Sequence, residues 1–421
     1  MADTEARALL RELFDVAVRA ALPDRSIAAH LPERPKGRTV VVGAGKGAAQ
    51  LAQALERVWQ GPLEGVVVTR YGYGAETQRI EVLEAAHPEP DEAGLVAARR
   101  LFGEVAGLGP DDLVIALICG GGSALLPAPA GGMSLADEIA VNRALLASGA
   151  PIAEMNLLRK HLSEIKGGRL ARAARPARVA SLIVSDIPGD DPALVASGPT
   201  VPDAAGPEAA RAVAARYRLD LPEAARAWLA SEECAAPRPQ DADFAHDTVE
   251  IIASAAVSLE AARAAAGTRG WEAVILSDAI EGESREVARV HAAIAREIAG
   301  RNRPFARPVI LLSGGETTVT LRARGRGGRN GEFLLSFALA IDGLEGVTAL
   351  AADTDGIDGS EDNAGGIVDG GTAARIRAAG GDPRALLDGN DAWGALDLAG
   401  DLLVTGPTGT NVNDFRAILI R

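Results

Sequence analysis

Lys46 stands inside the turn GAGKGA, residues 43–48, at the end of an apolar run, an arrangement that suits a phosphate group. Gly43, Gly45 and Ala48 satisfy G-x-G-x-x-A, an allowed form of the dinucleotide fingerprint. That fingerprint also wants an acid about 20 residues on to hold the ribose hydroxyls. Here the second apolar run ends in Thr69 and Arg70, and Glu64 precedes it, at the wrong end. A P-loop is excluded too, because no Ser or Thr follows Lys46. An ammonium among helix-start amides screens a polyphosphate and adds little to a dinucleotide site. Phosphate contact by Lys46 is therefore expected, and a merely structural tight turn is the alternative.

Further turns carry similar chemistry. In CGGGSALLPAP, Gly120, Gly121 and Gly122 let a ligand approach the backbone closely, with Ser123 at the expected helix N-cap; close strand–helix packing is the alternative. The stretch 155–171 reads as one amphipathic segment ending in glycines. Asn156, Lys160 and Lys166, with Arg159, form either a positive rim or a solvated basic face. Arginine dominates the 43 basic residues, so the rare lysines Lys46, Lys160 and Lys166 hint at places where a compact ammonium is wanted. In 181–203, Asp186 follows a strand where open sheets bind ligands, and it can hold Mg²⁺ or accept a proton. Asp190, a second metal candidate, and Asp191 lie in a turn, and Ser197 opens SGPT.

The densest motif is 312–333. Gly314, Gly315, Glu316 and Thr317 lead into what reads as a hairpin, which delivers Arg326, Arg329, Asn330 and Glu332 to a helix start. Arginine forks pair with carboxylate or phosphate; a mobile basic loop is the bland reading. Asp353, Asp355 and Asp358 follow a strand and read as a Mg²⁺ or nucleotide contact, though not as an EF-hand. Thr408, Thr410 and Asn411 line the same site or form an ordinary turn. The five histidines are scattered without ligand spacing, and no nucleophile elbow or paired C-x-x-C is present.

These residues need strand ends to hold them. Short apolar runs at Thr39–Gly43, Gly65–Thr69, Leu113–Cys119 and Val179–Ser185 alternate with helical patterns at 48–59, 91–105 and 134–147, the layout of a doubly wound parallel sheet. The proline- and acid-rich stretch 234–247 marks a boundary, giving domains 1–235 and 236–421. Beyond it, Val249–Ala253, Ala273–Leu276, Val309–Leu312, Thr317–Arg322, Val347–Ala351 and Leu402–Thr405 read as strands of a smaller α/β domain with a mixed sheet. A net charge of −14 disfavours nucleic acid or an anionic membrane as partner. No apolar run reaches the ~20 residues of a membrane span. A cytoplasmic protein is expected.

Seven stretches in order, GAGKGA, CGGGSALLPAP, EMNLLRKHLSEIKGGRLA, SLIVSDIPGDDPALVASGPTVPD, LSGGETTVTLRARGRGGRNGEF, AADTDGIDG and VTGPTGTNVND, resemble the glycerate 2-kinase family, whose C-terminal part is the MOFRL domain. The resemblance implies transfer of the γ-phosphoryl of ATP to the 2-hydroxyl of D-glycerate, with Mg²⁺. It also implies a Rossmann-like N-terminal domain, a smaller C-terminal α/β domain and an active site in the cleft between them. Carried onto this chain, it makes Lys46 and Arg329 the leading catalytic or substrate-binding residues. Lys46 and Gly120–Gly122 would stabilise the transferring phosphate, and Arg329 would clamp the glycerate carboxylate or the γ-phosphate. Asp186 is then the leading base or metal ligand, with Asp190, Asp353 and Asp355 as alternatives. Relatives of the family have also carried the name hydroxypyruvate reductase, so an NAD(P)-dependent reductase is the rival, and a non-catalytic sensor a lesser one. A homo-oligomer is compatible with all of this.

Overall fold

The computed structural model describes residues 2–421. The chain divides into two compact units, Pro23–Ile252 and a second comprising Ala253–Arg421 with the N-terminal segment up to Leu22. In the first, strands β1 (Thr39–Ala44), β2 (Glu64–Arg70), β3 (Ile80–Ala85), β4 (Leu113–Cys119), β5 (Arg178–Val184) and β6 (Thr248–Ala253) form one sheet in the order β3-β2-β1-β4-β5-β6. β1 to β5 run parallel. β1 and β4 are buried along their whole length, as continuous apolar runs between two layers of helices require. Helices begin where the sequence offers caps: Asp91 accepts the Gly94 amide, and Ser134 and Asp137 make a capping box. The strand order reverses between β1 and β4, so the turns after these two strands flank the crevice where open sheets take ligands.

In the second unit, β7 (Ala273–Ser277), β9 (Val309–Gly315), β11 (Val347–Asp353), β12 (Gly365–Asp369), β13 (Leu402–Leu403) and β14 (Asp414–Ile420) form a mixed sheet in the order β13-β12-β11-β14-β9-β7, while β8 (Gly282–Glu283) and β10 (Thr317–Thr318) pair separately. Only β7–β9 is parallel within the larger sheet. Among the described residues no helix is long and apolar enough to cross a membrane.

Three expectations change. The first helix, Ala2–Ala20, belongs to the second unit and not to the N-terminal domain. Leu10, Leu13 and Phe14 are buried there, Phe14 edge-on to Phe415 with centroids 5.9 Å apart. Arg7 fixes the helix through Ile367 O (2.8 Å), Asp369 (2.5 Å) and Asp401 (2.9 Å). The boundary lies at 252/253, not at 235/236, because the 234–247 stretch is tied into the first unit. Asp247 accepts the Val179 amide (2.9 Å) and pairs with Arg175, whose guanidinium lies over Phe244 at 5.2 Å, and β6 then joins the first sheet. Lastly, Thr317–Arg322 is no hairpin arm. Gly315 turns the chain at φ +117° against Ile280, β10 pairs in parallel with β8, and Thr320 is held by the Glu283 carboxylate (2.9 Å).

Candidate active site

At the switch point of the first sheet the turns after β1 and β4 are locked together. Lys46 N donates to Gly120 O (2.8 Å), Gly45 N to Val68 O (3.1 Å) and Gly47 N to Cys119 Sγ (3.3 Å). The amides expected to face a phosphate are thus spent within the fold. Gly43 and Gly45 are packing glycines. A Cβ on Gly43 would lie 2.6 Å from Leu117 O, and one on Gly45, at φ +138°, 2.3 Å from Cys119 Sγ. What this turn offers a ligand is the half-buried Lys46 side chain.

The glycines after β4 are a different case. A Cβ on Gly120 would sit 1.8 Å from Asp186 Oδ2, so this glycine exists to admit the Asp186 carboxylate from the end of β5. At Gly121, φ +82°, a Cβ would meet Lys46 Cγ at 3.0 Å and His87 Nε2 at 3.1 Å. Lys46, Asp186 and the Gly120–Gly122 turn are therefore brought together, and His87 joins them without having been singled out from its sequence. Its signal was positional: it lies two residues beyond β3 as Lys46, Gly121 and Asp186 lie two beyond β1, β4 and β5. Burial pushes the Cys119 thiol beneath the turn up to about 12, which keeps it protonated and inert.

Ser123, Ser197 and Asn156 form one hydrogen-bonded chain: Ser123 Oγ to Ser197 Oγ (2.9 Å), Ser197 Oγ to Asn156 Oδ1 (3.1 Å) and Asn156 Nδ2 to Leu194 O (3.0 Å). Ala196 and Ser197 both take left-handed φ, 52° and 59°. Such strain persists only where neighbours over-determine it. Here Gly167 N and Gly168 N bind Ser197 O (3.0 Å) and Gly198 O (2.7 Å). That bracing explains the two glycines after Lys166. The positive rim does not form: the helix ends at His161, and the two lysines turn inward. Lys160 is fully buried against Asp203 (2.5 Å), and Lys166 binds Leu126 O (2.9 Å) and Glu138 (3.0 Å). Asp190 lies in the loop beyond Asp186 with φ 52°.

The second unit gathers its candidates around Arg329, the first residue of the helix Arg329–Ala340. The guanidinium reaches Asp414 Oδ1 (2.7 Å) through Nε, Glu316 Oε1 (2.7 Å) through Nη1 and Asp353 Oδ2 (2.8 Å) through Nη2. Burial disfavours its charge, but Asp414 and Asp353 outweigh that and hold it above the ordinary arginine value. Asn330 Nδ2 also donates to Asp414 Oδ1 (2.8 Å). Asn411 Nδ2 reaches Asp355 Oδ2 (3.3 Å), and Thr408 N binds Asp355 O (3.0 Å). Asp414 and Arg416 were missed because polar residues hid a central strand; there they pair with each other at 2.5 Å, both fully buried.

Other members of the dense motif serve the fold. Glu332 is buried against Arg285 of the neighbouring helix (2.8 Å), and Thr317 is buried against Ser284 (3.0 Å). Gly314 packs under Asp414 O and Leu259, and Gly315 under Ile280. Arg326 stacks on Trp393, 4.0 Å from its centroid, in an exposed arm.

Burial, then the neighbouring Asp355, pushes the Asp353 carboxyl well above the usual carboxylate range. Such crowding of negative charge favours a cation. Among the described residues, however, no group of three or more His, Cys, Asp or Glu could hold a metal. Asp353 Oδ2 already accepts from Arg329 (2.8 Å) and Asp355 Oδ2 from Asn411 (3.3 Å), so these two could give a hydrated Mg²⁺ at most the one or two carboxylate contacts it takes beside substrate phosphates, not a protein cage.

Asp358 caps the Arg329 helix, accepting from Asn330 N (2.9 Å) and Gly331 N (2.7 Å), and burial pushes its carboxyl up to about 6. The folded state holds this proton more tightly than the unfolded chain, so stability falls as pH rises through that range. Between about pH 4.5 and pH 7 the wild type is expected to lose about 2 kcal/mol that Asp358→Asn does not. Urea denaturation of both at the two pH values checks this; parallel pH profiles refute it.

A doubly wound sheet with a lysine and a carboxylate gathered at its switch point is the architecture of a ligand-binding α/β protein. The domain of unknown function DUF4147 matches residues 9–230, and the MOFRL family matches residues 309–414. A D-glycerate 2-kinase from Thermotoga maritima is 40% identical over 405 residues, 96% of this chain and 95% of that one. A protein of Agrobacterium vitis bearing a provisional hydroxypyruvate reductase name is 54% identical over 421 residues, 99% of this chain and 95% of its own. The crystal structure of glycerate kinase from Thermotoga maritima superposes with a TM-score of 0.92 at 38% identity, covering 99% of this chain and 100% of that one. The chain belongs to the glycerate 2-kinase family.

Proposed function

We propose that the protein transfers the γ-phosphoryl group of ATP to the 2-hydroxyl of D-glycerate, releasing ADP and 2-phosphoglycerate. The observation that carries this reading is the convergence of Lys46, Asp186 and the Gly120–Gly122 turn at the switch point, in a chain whose kinase relatives match along nearly all its length. Phosphoryl transfer asks for positioning and charge neutralisation more than for an unusual nucleophile. In the first unit, Lys46 holds phosphate oxygens, and Asp186 accepts the proton of the attacking hydroxyl. In the second, Arg329 has three of its five N–H donors committed to Asp414, Glu316 and Asp353. The remaining two would be left for the glycerate carboxylate or a phosphate. Asp353 and Asp355 would hold Mg²⁺, which neutralises phosphate charge when bound. A cytoplasmic setting supplies both ATP and Mg²⁺.

The test is ADP release from ATP and Mg²⁺ with D-glycerate, the product being detected through enolase. Signal through enolase alone supports attack by the 2-hydroxyl. Signal only after phosphoglycerate mutase is added moves the phosphate to the 3-hydroxyl, and no glycerate-dependent ADP sinks the proposal. The Agrobacterium vitis relative favours the second reading, an NAD(P)-dependent hydroxypyruvate reductase. Against it, β2 ends in Thr69 and Arg70, with Thr69 Oγ1 spent on Lys46 O (3.0 Å), and supplies no acid for a ribose diol. NADH oxidation by hydroxypyruvate is the check.

A further inference from the structure

Four neighbouring strands, β3-β2-β1-β4, lead at their C-terminal ends to His87, Arg70, Lys46 and the Gly120–Gly122 turn respectively. Three of these strand ends carry basic side chains, and two of them, Lys46 and His87, converge. Lys46 Cγ and His87 Nε2 lie 3.0 and 3.1 Å from the position a Gly121 Cβ would take, so the two side chains meet over the one glycine that leaves room for both. The half-buried His87 ring feels Lys46 and Arg70, both positive. Arg70 Nε is buried without a hydrogen-bond partner among the described residues, its guanidinium lying 3.4 Å from the centre of the Tyr73 ring. Two fixed positive charges beside a neutral ring make this edge attractive to an anion.

We propose that His87 is a direct ligand of the nucleotide's phosphate chain, donating a hydrogen bond to a phosphate oxygen beside the Lys46 ammonium, with Arg70 supplying charge at the same edge. This rests on the kinase reading for the identity of the anion. Burial, Lys46 and Arg70 hold the imidazole below its ordinary value, so the free site carries a neutral ring that adds no repulsion while it waits. A phosphate offsets the Lys46 and Arg70 charges and gives the imidazole N–H an acceptor.

The experiment is calorimetric binding of inorganic tripolyphosphate, ATP and adenosine to the full chain, for wild type, His87→Ala and His87→Gln. His87→Ala is expected to weaken tripolyphosphate and ATP about tenfold, with adenosine unchanged. His87→Gln, which keeps a donor, should recover part of the loss. A merely structural histidine would lower the thermal midpoint and weaken all three ligands together, and that result overturns the proposal. Tripolyphosphate binding unchanged in both variants overturns it as well. Failure of the kinase reading is seen separately, as wild type that releases no ADP with D-glycerate yet still binds tripolyphosphate through His87.

Discussion

Lys46→Ala is expected to lower kcat/KM for D-glycerate by about 10²–10³, the range seen when one preorganised charge-stabilising donor is removed. Most of the loss should fall on kcat if, as proposed, the ammonium meets charge that shifts as the phosphoryl group leaves ADP. The fold should hardly notice. The Lys46 backbone is fixed independently of its side chain, by Gly120 O at 2.8 Å and Thr69 Oγ1 at 3.0 Å, and alanine keeps both bonds. Lys46→Arg is not expected to rescue the activity. The lysine stem already passes 3.0 Å from the Gly121 Cβ position, and a planar fork needs width that His87 occupies on the other side. Coupled steady-state assays with thermal unfolding of each variant make the check. Near-normal turnover in Lys46→Ala would remove this residue from the phosphate site.

How far this site could be read from sequence depended on what each glycine and lysine was for. The parallel strands were legible because a strand buried on both faces must be continuously apolar, as Leu113–Cys119 is. That Lys46, Asp186 and the Gly120–Gly122 turn would lie together was legible because neighbouring parallel strands bring their C-terminal ends to one side of the sheet. The amides around Lys46 were misread: a glycine that admits a ligand and one that admits a neighbouring strand look identical in one dimension. Gly45 does the second. Lys160 and Lys166 misled in the same way, since a scarce lysine marks a place where ammonium is needed, and a buried pair with Asp203 or Glu138 needs it as much as a substrate does. His87 was illegible until β3 was seen as an edge strand. Its polar residues Glu81 and Glu84, three apart and so on opposite faces, break both the apolar run and the alternation that mark a strand, and hid the one whose end places the ring.

The second unit was harder for a topological reason. Its central strand β14 carries Asp414 and Arg416 in full burial, and a polar pair in a strand core breaks the apolar run that sequence reading relies on. The first helix joining this unit from the far end of the chain was equally unreadable, since its amphipathic face would suit either sheet. Arg329 itself was legible as a fork beside glycines, but its three carboxylates come from residues 316, 353 and 414, close only in the fold.

Arg329→Ala therefore carries two expected results that must be separated. The first is catalytic: on the proposed role, in which the guanidinium neutralises phosphate or carboxylate charge, its loss is expected to cost about 10³ in kcat. The second is structural. Asp414 is fully buried and Asp353 nearly so, and removing their shared partner leaves both charges with Arg416 as the nearest cation. Breaking a buried pair in this way costs about 3–5 kcal/mol. The penalty should depend on pH in a fixed direction. Asp353 already holds its proton above the usual carboxylate range, and without Arg329 it holds it more tightly still. The variant should then recover stability as pH falls below neutral, where protonation removes one of the stranded charges. Arg329→Lys separates the two effects. A single ammonium restores a positive charge near Asp353 and Asp414, so stability should return in large part. It has three donors on one atom and cannot span three carboxylates while presenting two more N–H groups to a substrate, so activity should not return. Urea denaturation across pH, set beside turnover of both variants, reads the two effects independently. A lysine variant that regains both stability and turnover would make Arg329 a structural counter-ion with no hand in the reaction.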